Sequence, residues 1–214
     1  MIRMIGLILE TSTLASCLIL SKDGIPLQTS FLEGGKGLAL SLFQELPTFL
    51  KGIKLDYVAS GIGPGSFTGI RIGAAIAQAI SYAQGIPLLG FCSLSAFIPD
   101  QEGIFYSAIS AKSFGLHFLQ GTKTKETISF LEKPLFLSWD EAFITLQKDI
   151  HLISPDPALI QEKLGRCCKK EADPTWLSRF LHSKFLQGEY ERKPFLDLIY
   201  GTALEPVTKI SERI

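Results

Sequence analysis

Residues 61–73 read Gly-Ile-Gly-Pro-Gly-Ser-Phe-Thr-Gly-Ile-Arg-Ile-Gly and join an apolar run typical of a buried strand, 55–60, to an apolar helical segment, 68–84. Glycines allow positive φ angles and a close approach between backbones, and a helix N-terminus presents free N–H groups. Ser66 or Thr68 is the expected cap of the helix. This stretch therefore predicts a strand, a tight glycine-rich loop and a helix in direct succession.

The chemistry of this loop has two possible explanations. It lacks the Gly-Lys-Ser/Thr ending of a P-loop, and it does not match the dinucleotide fingerprint GxGxxG with an acidic residue on the next strand. The loop could still hold a phosphate on its amides. It could equally be a structural turn that docks a helix whose small residues Gly69, Gly73 and Ala77 recur at four-residue spacing.

The segments around the loop alternate between strand and helix patterns. Asp23-Gly24 between apolar runs indicates a hairpin, so the chain is expected to open as an antiparallel meander. Strands that then alternate with helices predict a mixed sheet covered by helices. The predicted order is strands 4–9, 14–20 and 25–32, helix 38–51, strand 55–60, helix 68–84, strand 87–91 and a short helix near 93–98.

The patterns weaken after residue 100. Capping residues and nearby prolines mark the expected starts of three helices. The predicted elements are strands 103–110, 114–120 and 127–137, and helices 138–149, 156–170 and 174–187, with Ser138, Ser154 and Asp173 as N-caps.

Charge is spread unevenly along the 214 residues, although 21 basic and 21 acidic residues leave no net charge. Residues 1–100 hold only 12 of these 42 charges. We therefore predict two domains, 1–100 and 101–214, with a C-terminal segment that is a candidate to pack back on the first. A neutral chain without a basic block is not expected to grip nucleic acid by itself.

The four cysteines show no spacing that suits zinc, and no apolar run reads as a signal peptide or a membrane span. We expect reduced thiols and a soluble, cytoplasmic protein with no membrane contact.

Helices 38–51 and 68–84 have more apolar surface than one core-facing stripe requires. Either both are buried inside their own fold, or they bury a second face against a partner subunit. We favour the partner, because large exposed apolar patches usually mark interaction sites. The predicted interface residues are Leu38, Leu42, Leu46, Ile72, Gly73, Ile76, Ala77 and Ile80.

The stretch from Gly63 to Gly73 resembles the signature of the TsaB (YeaZ) family. Leu9-Glu10-Thr11-Ser12-Thr13 resembles the first turn of that family, where an Asp usually precedes Thr-Ser-Thr. The resemblance extends over residues 4–98 and hardly reaches the second half. It implies an actin-like ATPase (ribonuclease-H-like) α/β fold, with two lobes, a mixed sheet with flanking helices, and a divergent second lobe.

The resemblance also implies a non-catalytic subunit. Its partners would be a TsaD-like catalytic subunit and a TsaE-like ATPase, which would bind the ATP and Mg, so no cofactor is expected on this chain. The complex would attach a threonylcarbamoyl group to the adenosine next to the anticodon of tRNAs that read A-starting codons. This chain would meet tRNA only through the complex, and alone it would form a homodimer through the same helices.

The resemblance assigns no catalytic and no metal-binding residue to this chain. Glu10, Thr11 and Ser12 would form a vestigial phosphate edge, with Glu10 in place of the usual Asp. The signature glycine loop consists of Gly63, Pro64, Gly65, Ser66, Phe67, Thr68, Gly69 and Arg71.

An actin-like kinase or ATPase that acts on its own is the alternative, although the second half shows no Asp-Gly-Gly phosphate loop. His117, His151 and His182 are isolated from one another, so none is assigned a role. Arg71 opposes the helix dipole and is expected to pair with a carboxylate of this chain or with the partner.

Overall fold

The computed structural model describes residues 3–131, 133–146, 150–191 and 195–200, and these residues form two β-sheets with flanking helices. The strands are β1 Ile5–Glu10, β2 Ala15–Lys22, β3 Ile25–Glu33, β4 Tyr57–Gly61, β5 Leu88–Phe91, β6 Gly103–Ser110, β7 Leu116–Lys123, β8 Ile128–Phe130, β9 Leu135–Leu137, β10 His151–Ser154 and β11 Cys168–Lys169. The helices are α1 Leu38–Phe49, α2 Phe67–Gln84, α3 Trp139–Thr145, α4 Ala158–Leu164 and α5 Pro174–Leu186, and a 3₁₀ turn covers Ser93–Ala96.

The first sheet has the strand order β3-β2-β1-β4-β5, with an antiparallel meander on one side and two strands parallel to β1 on the other. Asp23 and Gly24 both have positive φ, as expected for the tight hairpin turn between β2 and β3. Alternation along β1 divides its side chains between two cores, since Leu7 and Leu9 face α1 and α2 while Ile8 faces the opposite side.

The second sheet repeats this arrangement in the order β8-β7-β6-β10-β11, with β6, β7 and β8 antiparallel and β10 and β11 parallel to β6. Strands β8 and β9 pair with opposite ends of β7, so together they take the place that β3 has in the first sheet. The α/β fold with two mixed sheets and flanking helices, predicted from the sequence, is confirmed.

A central apolar core joins the two sheets. Ile8 and Ala59 of the first sheet share it with Phe105 and Ile153 of the second, and α5 contributes Leu177. Asp173 caps α5 through its side chain, as the sequence predicts, and the Phe185 ring stacks on Tyr57 at 4.7 Å between centroids. Helix α5 from the second half of the chain therefore stabilises the first sheet. A domain boundary near residue 100 stays a proposal.

Several predicted elements in the second half are wrong. The single strand 127–137 is two short strands, and Pro134, which has no N–H to donate, lies between them. The sequence patterns do not predict strand β10. Ser154 is the last residue of this strand and does not cap a helix, and Pro157 is the N-cap of α4. Gly165, at φ 72°, ends that helix well before residue 170.

No helix among the described residues is long and apolar enough to cross a membrane.

The position of α5 in the central core predicts that leucine-to-alanine substitutions at two positions of this helix will differ in their effect on stability. Leu181 is fully buried and Leu186 is 63% exposed. We expect Leu181→Ala to lower the free energy of unfolding by about 2–5 kcal/mol, because it leaves a cavity in the shared core. Leu186→Ala is expected to change it by less than about 0.5 kcal/mol. Equal denaturation midpoints for the two variants in urea would contradict this role of α5.

Candidate functional site

The carboxyl ends of the parallel strands β1, β4 and β5 meet at one edge of the first sheet. In open α/β sheets this edge is where ligands bind. Three segments lie there: the first turn 10–13, the glycine loop 61–66 and Ser93 after β5. The two segments that the sequence singled out for chemistry are therefore brought together by the fold.

Glu10 is completely buried at this edge. Its Oε1 accepts hydrogen bonds from the amide of Ser12, at 2.8 Å, and from the Ser12 hydroxyl. Its Oε2 has no hydrogen-bond partner in the described part of the chain, and a Cβ on Gly61 would overlap it. Burial raises the pKa of Glu10 to about 7, although the two bonds from Ser12 lower it in part.

The glycine loop is filled by the first turn of the same chain. The amide of Ser66 donates to the carbonyl oxygen of Ser12 at 2.6 Å, and the Thr11 hydroxyl donates to the carbonyl oxygen of Gly69 at 2.8 Å. Gly65 has φ 157°, and a Cβ there would overlap the Ser12 carbonyl. Of the two explanations that the sequence left open, this geometry supports the structural turn, because residues 11 and 12 occupy the space beside the loop.

The small residues of α2 also make room for the first turn, 10–13. A Cβ on Gly69 would overlap the Thr11 carbonyl oxygen, and one on Gly73 would overlap the Thr11 hydroxyl. Ala77, one turn further, is buried in the core between α2 and the sheet. The row of small residues therefore lets α2 approach the end of β1, and Ser66 caps the helix by accepting from the Gly69 amide at 3.3 Å.

The other side of the loop contacts a segment near the end of the described chain. The amide of Ile199 donates to the Ile62 carbonyl at 2.8 Å, and the amide of Ser93 donates to the Gly63 carbonyl at the same distance. Gly63, at φ 102°, lies so close to the Ile199 carbonyl that a Cβ would overlap it. Pro64 is buried in the same loop. The loop is thus held on two sides by its own chain.

Within the described residues Arg71 contacts aromatic side chains and no carboxylate, and its contact with a partner subunit stays a prediction. Its guanidinium lies 3.8 Å from the centre of the Phe67 ring, and its Nε donates to the Tyr200 hydroxyl at 3.1 Å. Phe67 and Tyr200 are themselves in contact, with ring centroids 5.2 Å apart. A cation–π contact and a phenol therefore hold Arg71 beside the exposed Thr68.

The structure divides the predicted partner interface into two groups. Leu38, Leu42, Gly73 and Ala77 are buried within the chain and support α1 and α2 from below. Leu46, Ile72, Ile76 and Ile80 are half-buried at the edge of the same core. That these residues meet a partner stays a prediction, and only the second group is accessible to one.

The large apolar side chains that are most exposed on the two helices are not among the predicted interface residues. Phe43 is 70% exposed and Tyr82 is 80% exposed, and Leu40 lies on the same outer side of α1 as Phe43. We define the outer helix face as Leu40 and Phe43 of α1 with Ala75, Ala79 and Tyr82 of α2. The sequence signal for this face was the excess of apolar residues lying off the α1 stripe.

No group of three or more His, Cys, Asp or Glu side chains in the described ranges could hold a metal ion. His117 is buried against Phe136, and burial lowers the pKa of its imidazole to about 4. At the sheet edge itself, the titratable residue with a shifted pKa is the buried carboxylate Glu10.

The close contact between α2 and the first turn predicts the cost of adding a methyl group. We expect Gly69→Ala to lower the free energy of unfolding by about 1–3 kcal/mol, because the new Cβ meets a backbone oxygen that cannot move freely. Gly37→Ala is the control, since nothing lies within 4 Å of its Cβ position. Chemical denaturation of both variants measures this, and a Gly69→Ala chain as stable as the control would contradict the packing described.

The buried carboxylate predicts a pH dependence of stability. Between pH 4.5, the ordinary pKa, and about 7, folded Glu10 keeps a proton that the unfolded chain has released. The free energy of unfolding therefore falls as pH rises through this range, by about 2–3 kcal/mol from this group. We expect the free energy of unfolding of the Glu10→Gln variant not to show this decrease when urea denaturation is measured at pH 5 and at pH 8.

His117 also makes stability depend on pH, so the effect of Glu10 has to be measured as the difference between the Glu10→Gln variant and the unaltered chain. Its lowered pKa means that the unfolded chain binds the extra proton between pH 4 and 6.5, so His117 makes stability rise with pH there. This contribution has the opposite sign to that of Glu10 and is the same in both proteins. Parallel pH curves for the Glu10→Gln and unaltered chains would show that Glu10 is not held as described.

Comparisons with known proteins agree with the family that the motifs suggested. A family model described as TsaD, tRNA N6-adenosine threonylcarbamoyltransferase, matches residues 41–112. A tRNA threonylcarbamoyladenosine biosynthesis protein TsaB from Haemophilus influenzae is 34% identical over 93 residues, 41% of this chain and 38% of that protein. A TsaB from Buchnera aphidicola is 32% identical over 120 residues, 50% of this chain and 53% of that protein.

The chain thus matches between about two fifths and about half of the length of these curated relatives. The solved structure of YeaZ from Pseudomonas aeruginosa shares the fold, with a TM-score of 0.72 over 92% of this chain and 100% of that one, at 18% identity. The curated TsaB relatives and the TsaD family model thus agree over part of the chain with the family that the motifs suggested, and the YeaZ structure shows the fold.

Proposed function

We propose that this chain is a non-catalytic subunit in the biosynthesis of tRNA threonylcarbamoyladenosine, where it binds and activates a TsaD-type threonylcarbamoyltransferase. The product would carry its threonylcarbamoyl group on the adenosine next to the anticodon of tRNAs that read A-starting codons. The relatives named TsaB support the pathway, and the TsaD family model supports the type of partner.

The observation that supports a non-catalytic role most directly is the filled glycine loop. Ser66 and Gly69 are hydrogen-bonded to residues 11 and 12 of the chain, where a phosphate loop would leave room for its anion. In the second sheet, the connection after β10 corresponds to this loop and reads Pro155-Asp156-Pro157. Two prolines supply no amide donors for a phosphate.

A nucleotide-dependent kinase or ATPase acting alone is the alternative, and the buried Glu10 carboxylate is the observation in its favour. Such an enzyme needs phosphate loops and carboxylates that hold Mg²⁺. Calorimetry of the isolated chain with Mg·ATP separates the two functions. Saturable heat with hydrolysis of ATP would favour the kinase, and we expect neither.

Reconstitution of tRNA modification tests the role itself. TsaD-type and TsaE-type proteins from the same source, with tRNA, ATP, Mg²⁺ and threonylcarbamoyl-AMP, are assayed with and without this chain. We expect modified tRNA to form only when the chain is present. Equal product without it would overturn the proposal, and so would product from this chain alone.

The surface through which this subunit would bind its partner is the outer helix face. It contains large exposed apolar side chains, and the charged side chain on its α2 side is Arg71, one turn before Ala75. The same face would support a homodimer when the partner is absent, because association follows protomer concentration. Contact with tRNA would come only through the complex, in keeping with the zero net charge.

Two matched phenylalanines test the outer helix face. Phe43 on α1 and Phe143 on α3 are 70% and 71% exposed, so a charge at either should leave the fold intact. We expect Phe43→Glu to weaken capture of the TsaD-type partner at least about tenfold, because an interface anchor would be replaced by a desolvated charge. Phe143→Glu should capture it normally. Equal capture by both variants, measured by pull-down and light scattering, would exclude this face.

A further inference from the structure

A cavity of about 340 Å³ lies between the two sheets, and it is lined by no residue of the glycine loop, although Phe91 in its wall accepts a hydrogen bond from the Ile62 amide. Its walls come from the end of β5 and the segment after it, from β7 and β8, and from one side of α5. Its volume lies at the lower end of the range of small-molecule sites, about 300–1,000 Å³. It is lined by Gly90, Phe91, Cys92, Ser95, Leu119, Ile128, Ser129, Phe130, Leu131, Trp176, Phe180 and Lys184.

Three aromatic rings form the apolar wall. Trp176 and Phe180, one turn apart on α5, are stacked with centroids 5.2 Å apart and an angle of 16°. Phe130 of β8 lies 6.1 Å from Trp176. Both α5 rings are half-buried, and the indole N–H of Trp176 donates to the Ser95 carbonyl at 2.9 Å, which fixes the orientation of this ring. Such a wall favours a flat aromatic ligand, which stacks on or against the ring edges.

Lys184 adds a positive charge one further turn along α5. Its Nζ lies 5.3 Å from the centre of the Phe180 ring and forms an ion pair with Glu189. Glu189 follows the end of the helix, and half of its side chain is exposed to solvent. A solvent-exposed ion pair is weak, so an anion arriving at the cavity can replace the carboxylate at little cost.

We propose that this cavity binds a small planar aromatic molecule that carries an anionic group, with the ring against Trp176 and Phe180 and the anion on Lys184. A nucleoside monophosphate and an aromatic carboxylate share this chemistry. The site uses none of the residues of the glycine loop or of the outer helix face. A test of this cavity therefore does not test the proposed function, and the reverse also holds.

Tryptophan fluorescence of the full chain provides the measurement. The protein has two tryptophans, and Trp139→Phe leaves Trp176 as the sole reporter. AMP and phenylacetate are the anionic probes, and adenosine and phenylacetamide are their neutral counterparts. We expect a saturable change with at least one anionic probe and a clearly weaker one with its neutral counterpart. Which anionic probe binds more tightly distinguishes the nucleotide from the aromatic acid.

Charge variants at the mouth of the cavity separate a binding role from a structural one. We expect Lys184→Gln to raise the Kd of the anionic probe roughly three- to tenfold and Lys184→Arg to restore binding. Glu189→Gln should lower the Kd, because it removes the competing carboxylate. A purely structural ion pair would make both Gln variants behave alike. No saturable change with any probe at millimolar concentration, or equal binding of charged and neutral probes, would overturn the proposal.

Discussion

The hydrogen bond from the Thr11 hydroxyl to the Gly69 carbonyl joins the end of β1 to the first turn of α2, and the close packing of α2 at this edge of the first sheet depends on this contact. Gly69 and Gly73 have no side chain because Thr11 fills the space where a Cβ would lie. The close approach brings the Ser66 amide onto the Ser12 carbonyl and leaves Glu10 sealed from solvent behind the loop. The contact with Thr11 thus accounts for the small residues at the start of α2, whereas Gly61, Gly63 and Gly65 of the loop make room for Glu10, Ile199 and Ser12.

The two sheets show how one strand order can be built from very different local sequences. The first has long strands with clear alternation and a Gly-rich connection, whereas the second divides its third strand around Pro134 and has prolines where the first has glycines. A backbone repeat without a sequence repeat arises because strand order depends on apolar patterning and chain direction, which many residues satisfy. The connections, by contrast, depend on particular residues, and these differ between the sheets.

Most of the first sheet could be predicted from the sequence because its signals are local: the Asp23-Gly24 turn, the alternation in β1, the Ser66 cap and the stripe of α1. Strand β10 could not, because four residues flanked by helix-forming segments acquire their identity only by pairing with β6. The site followed the same rule. The motif identified the loop, but its filling by residues 11 and 12 is a tertiary contact between segments 58 residues apart.

The two groups of apolar residues on α1 and α2 explain why a hydrophobic stripe is a poor guide to an interface. Leu38 and Leu42 form the most regular stripe of α1, and this regularity is produced by packing on a sheet. An interface that forms on top of a complete core must use the residues that interrupt the pattern, such as Leu40 and Phe43. The scarcity of charge in residues 1–100 favours the proposed interface independently of any stripe, because solvent-exposed helices are normally rich in charge and these two are not.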